Sequence, residues 1–287
     1  MGAPEAVWVD LKIKSGLANT VEDIDRNIES ALAREFVLPL QAISLQTGLG
    51  AVSIVGSGPS LKKNWKRLRD FKGDIIACNA ACQFLLEKGI VPKYMFCFDA
   101  DPLMLEFITP HKDITYLMAS RCPPEAFDML EGQRVVCWHA GGDEHIEELL
   151  QKHNRMEPMV SGGTAAITRC LLLAAYLGYR ELHLWGADSS FADGDTHIRQ
   201  STTLERSIAV RVGARDFICA PWMARQVEDF KVLAPPLRDN YRLEIVVHGT
   251  GIIPHVARIL GFRTDEQRWK HVAKVVKFKA LTVWNNL

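Results

Sequence analysis

Residues 51–63 read AVSIVGSGPSLKK, and this stretch decides the fold. A short apolar strand pattern, 51–55, leads into the glycine turn 56–60, and a basic helical pattern follows it. A strand that passes through glycines into a helix can hold phosphate, because the first backbone N–H groups of a helix are unpaired. The same residues also suit a plain tight turn, so the rest of the chain has to separate the two interpretations.

The strand–helix alternation continues along the chain. Apolar strand patterns occupy 74–78, 94–98, 113–120, 133–140, 181–188 and 241–249, and helical patterns occupy 21–45, 81–89, 143–153, 159–178 and 200–235. Strands that are apolar throughout are typical of a parallel sheet covered by helices on both faces. We therefore predict an α/β, Rossmann-like three-layer domain with a mainly parallel sheet over 50–262. A helical N-terminal lead-in, 1–49, precedes it, and a basic amphipathic tail, 263–287, follows.

Composition limits the classes of function. Of 287 residues, 48% are apolar, enough for a sizeable core, and 34 basic residues balance 34 acidic ones. The zero net charge gives no indication of nucleic-acid binding. The seven cysteines lie in apolar runs without metal-binding spacing, which favours reduced, mostly buried thiols in an intracellular protein. No signal peptide or membrane span is recognisable, so we expect a cytoplasmic protein, and a homo-oligomer is left open.

Polar residues collect directly after the predicted strands. They are the turn 56–60, Asn79, the pair Asp99 and Asp101, Asp188 with the later Asp193, Asp195 and His197, and the turn 248–251. In an open α/β sheet, ligands bind outside the carboxyl ends of the strands. Five strand ends with small, acidic or amide residues therefore predict one binding site along that edge.

Two glycine-containing turns are candidates for binding phosphate. The first consists of Gly56, Ser57, Gly58, Pro59 and Ser60, and it matches neither a Walker A loop nor a G-x-G-x-x-G turn. The second consists of Ser161, Gly162, Gly163 and Thr164 at the head of the most apolar helix. Two glycines allow a ligand to approach the backbone, and the helix dipole favours an anion. The alternative for the second turn is an ordinary N-cap by Ser161 or Thr164.

Each of the acidic, amide and histidine residues also has more than one possible role. Asp99 and Asp101 suit Mg²⁺, which takes hard oxygen ligands and completes its shell with water and phosphate, but they also suit a turn. Asn79 suits either the edge of a base or ribose, or a cap on the next helix. His197 is a candidate general base, a metal ligand or an exposed ring.

These residues, in this order, carry a resemblance to a known family. The segments IVGSGPSLKK, EKGIVPKYMFCFDADP, VSGGTAAITRCLLLAAYLGYRELHLWGAD and DGDTH resemble the 6-hydroxymethylpterin diphosphokinase MptE-like family. The resemblance spans about 50–262, and HGTGIIP fits it only loosely. The family is distantly similar to bacterial CMP-sialic acid sialyltransferases, in which an asparagine and a glycine loop matching Asn79 and GSGPS hold CMP.

Two departures from the sialyltransferases bear on the choice of chemistry. Those enzymes work without a metal and lack an acidic pair at the third strand end, where this chain has Asp99 and Asp101. They also carry one glycine where this chain has Gly162 and Gly163. Both features favour a metal-using enzyme that handles diphosphate, although other glycosyltransferases use acidic pairs to hold metal-bound nucleotide-sugars.

The resemblance implies a Mg²⁺-dependent transferase that binds a nucleotide and a small-molecule acceptor. The first expectation is diphosphate transfer from ATP to a hydroxymethyl group on a heterocycle. The glycine turns would bind phosphates, Asp99 and Asp101 would hold the metal, and Asp188 and His197 would be catalytic. The alternatives are glycosyl transfer from a CMP-sugar and a nucleotide-binding module without catalysis.

Overall fold

The computed structural model describes residues 19–43, 49–142, 144–155, 157–192, 207–265 and 282–284. Its strands are β1 Val37–Pro39, β2 Leu49–Val55, β3 Asp74–Cys78, β4 Tyr94–Cys97, β5 Thr115–Ala119, β6 Arg134–Ala140, β7 Met159–Val160, β8 Tyr179–Trp185, β9 Ile208–Val212, β10 Arg215–Cys219, β11 Glu244–Val247, β12 Arg263–Thr264 and β13 Thr282–Trp284. Its α-helices are α1 Val21–Leu32, α2 Leu61–Arg69, α3 Ala80–Glu87, α4 Pro124–Asp128, α5 Glu144–Lys152, α6 Ala166–Leu177, α7 Pro221–Asp239 and α8 Ile252–Ile259.

The main sheet confirms the predicted α/β class. Its strands follow the order β1-β6-β5-β4-β3-β2-β8-β11-β12, with β7 beside β6, and every pair of neighbours is parallel. The chain moves outward from β2 to β6 in one direction and from β8 to β12 in the other. The strand order therefore reverses between β2 and β8, which is the position where doubly wound folds bind ligands.

Local sequence explains where several helices begin and end. Thr20 and Asp23 form a reciprocal capping box at the start of α1. Gly89 follows the last residues of α3 with φ +70°, and Gly178 ends α6 with φ +103°. Glycine takes this left-handed conformation without the clash of a Cβ atom, so both glycines terminate their helices as the sequence predicted.

Three predicted elements need correction. The segment 208–219, predicted to be helical, forms the antiparallel hairpin β9–β10 around Gly213, because its apolar residues alternate with a period of two. The predicted helix 159–178 begins only at Ala166, after strand β7 and a loop. The predicted helix 21–45 ends at Leu32 as α1; strand β1 follows and pairs with β6 at the edge of the main sheet, and a short 3-10 helix covers Leu40–Ala42.

The tail lies partly outside the described residues. Its described ends, β12 and β13, are strands: β12 extends the main sheet, and β13 joins the small sheet of β9 and β10. The predicted amphipathic helix between them falls on 266–281, which are not among the described residues.

The core lies between the main sheet and the helices on its two faces. The central strands β4, β5 and β6 are almost entirely buried, and Phe96 stacks on Trp138 with ring centroids 4.8 Å apart. All seven cysteines are free and buried, as predicted. No helix in the described part of the chain has the length and apolar character needed to cross a membrane.

Candidate functional site

The loops after β2 and β8 are joined where the strand order reverses. The N–H of Gly56 donates to Trp185 O at 2.8 Å, and the N–H of Gly58 donates to Gly186 O at 2.8 Å. A Cβ on Gly58 would lie 2.6 Å from that same carbonyl oxygen. The first glycine turn therefore needs glycine for loop-to-loop contact, whatever ligand it binds.

Asp188 holds this turn from inside the protein. The backbone N–H of Ser60, the N-cap of α2, donates to Asp188 Oδ2 at 2.7 Å, and the N–H of Ile253 donates to Asp188 O at 3.4 Å. Asp188 is only 3% exposed. Burial raises its pKa, and the hydrogen bond from Ser60 opposes that shift. A carboxylate of the chain thus caps α2 where a phosphate was predicted to bind, and Asp188 connects the loops after β2, β8 and β11.

A chain of four ionisable side chains lies beside the loop that follows β11. His183 Nε2 is 2.8 Å from Glu181, His183 Nδ1 is 2.9 Å from His248 Nε2, and His248 Nδ1 is 2.7 Å from Asp265. Carboxylates only accept hydrogen bonds, so the complete chain of bonds requires three protons on the two imidazoles. Burial would raise the pKa of Asp265, but the hydrogen bonds from His248 and Arg67 hold it well below its usual range.

Asn79 has the most unusual geometry of the predicted residues. It follows β3 with φ +48° and ψ −126°, a region that non-glycine residues rarely adopt. Its side chain makes no cap bond to α3, which removes the capping interpretation. Its Oδ1 is buried without a hydrogen-bond partner among the described residues, and so is Oε1 of Gln83 one helical turn later. Strain and unpaired polar atoms together indicate a site that a ligand completes.

The acidic pair after β4 is compatible with Mg²⁺. Asp99 Oδ1 accepts from the N–H of Asp101 at 3.3 Å, and Asp101 Oδ1 accepts from the N–H of Leu103 at 2.9 Å. Each carboxylate uses one oxygen in this turn and offers the other to a ligand. Among the described residues no group of three or more acidic, histidine or cysteine side chains could hold a metal. An ion here would depend on two carboxylates plus water and phosphate, a donor set that Mg²⁺ accepts.

The second glycine turn differs from its predicted form. Ala165 is the N-cap of α6 and makes no side-chain cap bond, so neither Ser161 nor Thr164 caps the helix. The N–H and hydroxyl of Thr164 both donate to Asp229 Oδ2 at 2.7 Å. Gly162 and Gly163 have φ +106° and +80°, which gives both a backbone reason to be glycine. Thr164 is therefore engaged by a carboxylate of α7.

Two arginines near this turn were not identified from the sequence. Arg169 donates to the carbonyl oxygens of Val160 at 2.6 Å, Gly163 at 2.9 Å and Gly141 at 3.2 Å. Its guanidinium carbon lies 4.6 Å from the centroid of the Phe98 ring, and that of Arg121 lies 5.1 Å from the same centroid. The sequence feature that could have identified Arg169 is that it is the single charged residue of the apolar helix AITRCLLLAAYL.

The structure thus brings most of the predicted residues to one edge of the sheet. Ile167 at the start of α6 lies against Gly56, since its Cδ1 would be 2.7 Å from a Cβ there. Arg169 links Gly163 to Phe98, the residue before Asp99. His197, with Asp193 and Asp195, lies outside the described residues.

A cavity of about 370 Å³ opens beside the loops after β8 and β11. Its lining includes Asp188, Ser190, Phe191, Phe217 and Thr250. It combines aromatic walls with a few polar groups, a composition typical of sites for small molecules.

The chain belongs to the 6-hydroxymethylpterin diphosphokinase MptE-like family, whose model matches residues 24–194. This match confirms the resemblance found in the sequence, and it indicates a transferase related to nucleotide use. No curated protein matches the chain by sequence.

Among solved structures, the chain is similar to the MAf glycosyltransferase from Magnetospirillum magneticum AMB-1. The TM-score is 0.62 at 18% sequence identity, and the match covers 89% of this chain and 40% of that chain. The present chain thus spans less than half the length of that protein, and at this identity the similarity concerns the fold.

Proposed function

We propose that the protein is a Mg²⁺-dependent transferase that moves a diphosphate group from ATP to a hydroxymethyl group on a small heterocyclic acceptor. Family membership supports the diphosphokinase class. The observation that supports the nucleotide site is Asn79, which follows β3 with a strained backbone and whose buried Oδ1 has no hydrogen-bond partner among the residues described. Polar atoms of this kind are rare in native proteins unless a ligand or water completes them.

In the proposed reaction, the acceptor hydroxyl oxygen forms a bond to the β-phosphorus of ATP. The bond between that phosphorus and the α,β-bridging oxygen breaks, AMP leaves with the electron pair, and a base takes the hydroxyl proton. His197 is our candidate for that base. Asp99 and Asp101 would hold Mg²⁺, which would neutralise negative charge developing on the bridging oxygen.

The remaining residues would bind and orient the substrates. Asn79 and Gln83 would offer amide groups to the nucleoside, because their side-chain oxygens are buried without partners in the described part of the chain. Gly162 and Gly163 would allow phosphates to approach the backbone before α6. Phe191 and Phe217 would contact a flat acceptor in the cavity beside the loops after β8 and β11.

The test incubates the protein with ATP, Mg²⁺ and a hydroxymethylpterin and measures AMP. We expect AMP formation by the unchanged protein and a loss of about 100-fold or more in Asp99→Asn and Asp101→Asn, since each removes a charged metal ligand. Asp113→Asn is the matched control, because this exposed aspartate precedes β5 at the opposite edge of the sheet. Absence of AMP with every hydroxymethyl acceptor tried would contradict the proposal.

Glycosyl transfer from a nucleotide-sugar is the second candidate. It is favoured by the fold shared with the MAf glycosyltransferase over most of this chain. In that case Asn79 and the first glycine turn would hold the nucleotide of a CMP-sugar. Thermal-shift measurements with ATP, CMP and CMP-sugars separate the two candidates, because a ligand raises the melting temperature according to its affinity for the folded state.

A nucleotide-binding module without catalysis is the third candidate. It predicts that Asp99→Ala and Asp188→Ala leave any measured activity or partner binding unchanged. The transferase proposals predict instead that Asp99→Ala removes activity while the protein stays folded, because Asp99 is exposed and its hydrogen bond with the Asp101 N–H lies within its own turn.

A further inference from the structure

Arg121 and Arg169 form a pair of positive charges at the edge of the sheet. Arg121 follows β5, and Arg169 lies in α6 close to its start. Both guanidinium groups lie over the ring of Phe98, which itself stacks on Trp138 and directly precedes Asp99. The two cations therefore share one aromatic neighbour next to the predicted metal ligands.

Neither arginine forms an ion pair within the described residues. Arg169 is 8% exposed, and its hydrogen bonds go only to uncharged backbone carbonyl groups. The Nε atoms of both arginines are buried without a hydrogen-bond partner in the described part of the chain. Burial lowers the pKa of Arg169 to about 10, and the charge of Arg121 adds to that shift. Arg169 nevertheless remains charged at neutral pH.

The charge of Asp229 favours the charged form of Arg169, but this carboxylate is shared with other groups. Asp229 accepts two hydrogen bonds from Thr164 and lies 3.5 Å from the Arg225 guanidinium of its own helix. Asp99 hydrogen-bonds within its own turn. Bringing two cations together in a partly buried site is unfavourable when the nearby negative charge offsets only part of their charge. An anionic ligand would remove this cost, because it supplies both charge and hydrogen-bond acceptors.

The ligand chemistry follows from the donors. Guanidinium groups present planar N–H pairs that match the oxygens of phosphate, and two of them suit a group with more than one negative charge. Gly163 O accepts a hydrogen bond from Arg169, which places the turn 161–164 beside that guanidinium group. A diphosphate group satisfies these features together, since it spreads its charge over two phosphorus centres.

We propose that Arg121 and Arg169 form a subsite for a diphosphate group beside the turn 161–164. This assignment rests on the proposed function, which it deepens by naming the residues that hold the terminal phosphates of the donor. The diphosphate belongs either to ATP or to free inorganic diphosphate, and the chemistry recognised is the same. Arg169 also positions the loops after β6 and β7 through its three carbonyl contacts.

The test measures binding of inorganic diphosphate, ATP and AMP by calorimetry to the unchanged protein, Arg121→Gln and Arg134→Gln. Arg121→Gln leaves the loop contacts of Arg169 intact, whereas substituting Arg169 would remove them. Arg134→Gln is the matched control, because this exposed arginine starts β6 at the opposite edge of the sheet. We expect Arg121→Gln to weaken diphosphate and ATP binding at least about tenfold, since it removes charge-assisted hydrogen bonds. AMP binding should change less than about twofold, and Arg134→Gln should match the unchanged protein.

Equal affinity of Arg121→Gln and the unchanged protein for diphosphate would overturn the subsite. So would the absence of diphosphate binding to the unchanged protein. If AMP forms in the transferase assay while Arg121→Gln binds diphosphate as tightly as the unchanged protein, only the subsite is wrong. If diphosphate binding requires Arg121 but no acceptor yields AMP, the subsite stands and the diphosphokinase function is wrong.

Discussion

Two parts of the same sheet edge differ in how their charged residues are paired. The β2–β8–β11 side consists of the loops that follow these three strands. There, Asp188 caps α2, and Asp265 accepts hydrogen bonds from His248 and from the N–H of Gly249. The β4–β5–β7 side consists of the loops that follow those strands, with the start of α6. There, Arg121 and Arg169 have no ion pair among the described residues. Polar residues at strand ends therefore do not all indicate ligands.

The largest effect is expected on the β2–β8–β11 side. Gly58→Ala would place a Cβ 2.6 Å from both Gly186 O and Asp188 Oδ2, which are held by hydrogen bonds and cannot move freely. We expect a loss of about 3 kcal/mol in the free energy of unfolding, measured by urea denaturation. Gly50→Ala is the control, because a Cβ there meets nothing within 4 Å. Equal stabilities of the two variants would show that the loop contact is not tight.

A pH effect is expected from the β4–β5–β7 side. His139 is buried on β6 and lies 2.9 Å from Ser120, the residue before Arg121. Burial lowers the pKa of His139 to about 4, with Glu157 opposing and Arg155 adding to the shift. Between pH 6.5 and 4 the unfolded chain binds this proton and the folded chain does not, so stability falls as the pH falls through this range.

The size of this contribution follows from the shift. It amounts to roughly 3 kcal/mol at most, and His139→Gln should remove it from the pH dependence of the unfolding free energy. An unchanged pH profile in His139→Gln would contradict the burial argument. The result bears on this part of the sheet edge, because a protonated His139 would place a positive charge beside Ser120, the residue before Arg121.

The sequence predicted those features of the fold and the candidate site that depend on local sequence pattern. Apolar runs gave the central strands, and the parallel order then placed Gly56, Asn79, Asp99 and Asp188 on one edge. The hairpin at 208–219 was predicted as helix because its alternating period was not recognised. The roles of Asp188 and Thr164 could not be predicted, because their partners Ser60 and Asp229 are far away in the chain.

The same limit applies to the charged residues that the sequence did not single out. Arg121 and Arg169 are separated by a long stretch of chain, and only the fold places both on Phe98. The pairing of His183 with His248 depends on the parallel register of β8 and β11. A charged residue within an otherwise apolar helix, as Arg169 is, was the one local signal available.

The most direct test compares Arg121→Gln with Asp188→Asn in ligand-free protein by urea denaturation. Asp188→Asn replaces the charged acceptor of the Ser60 N–H, so we expect a loss of about 1–3 kcal/mol in the free energy of unfolding. Arg121→Gln removes a positive charge that repels Arg169, so its stability should equal or exceed that of the unchanged protein. A loss in Arg121→Gln as large as that in Asp188→Asn would show that Arg121 is a structural residue, and it would contradict the difference between the two sides.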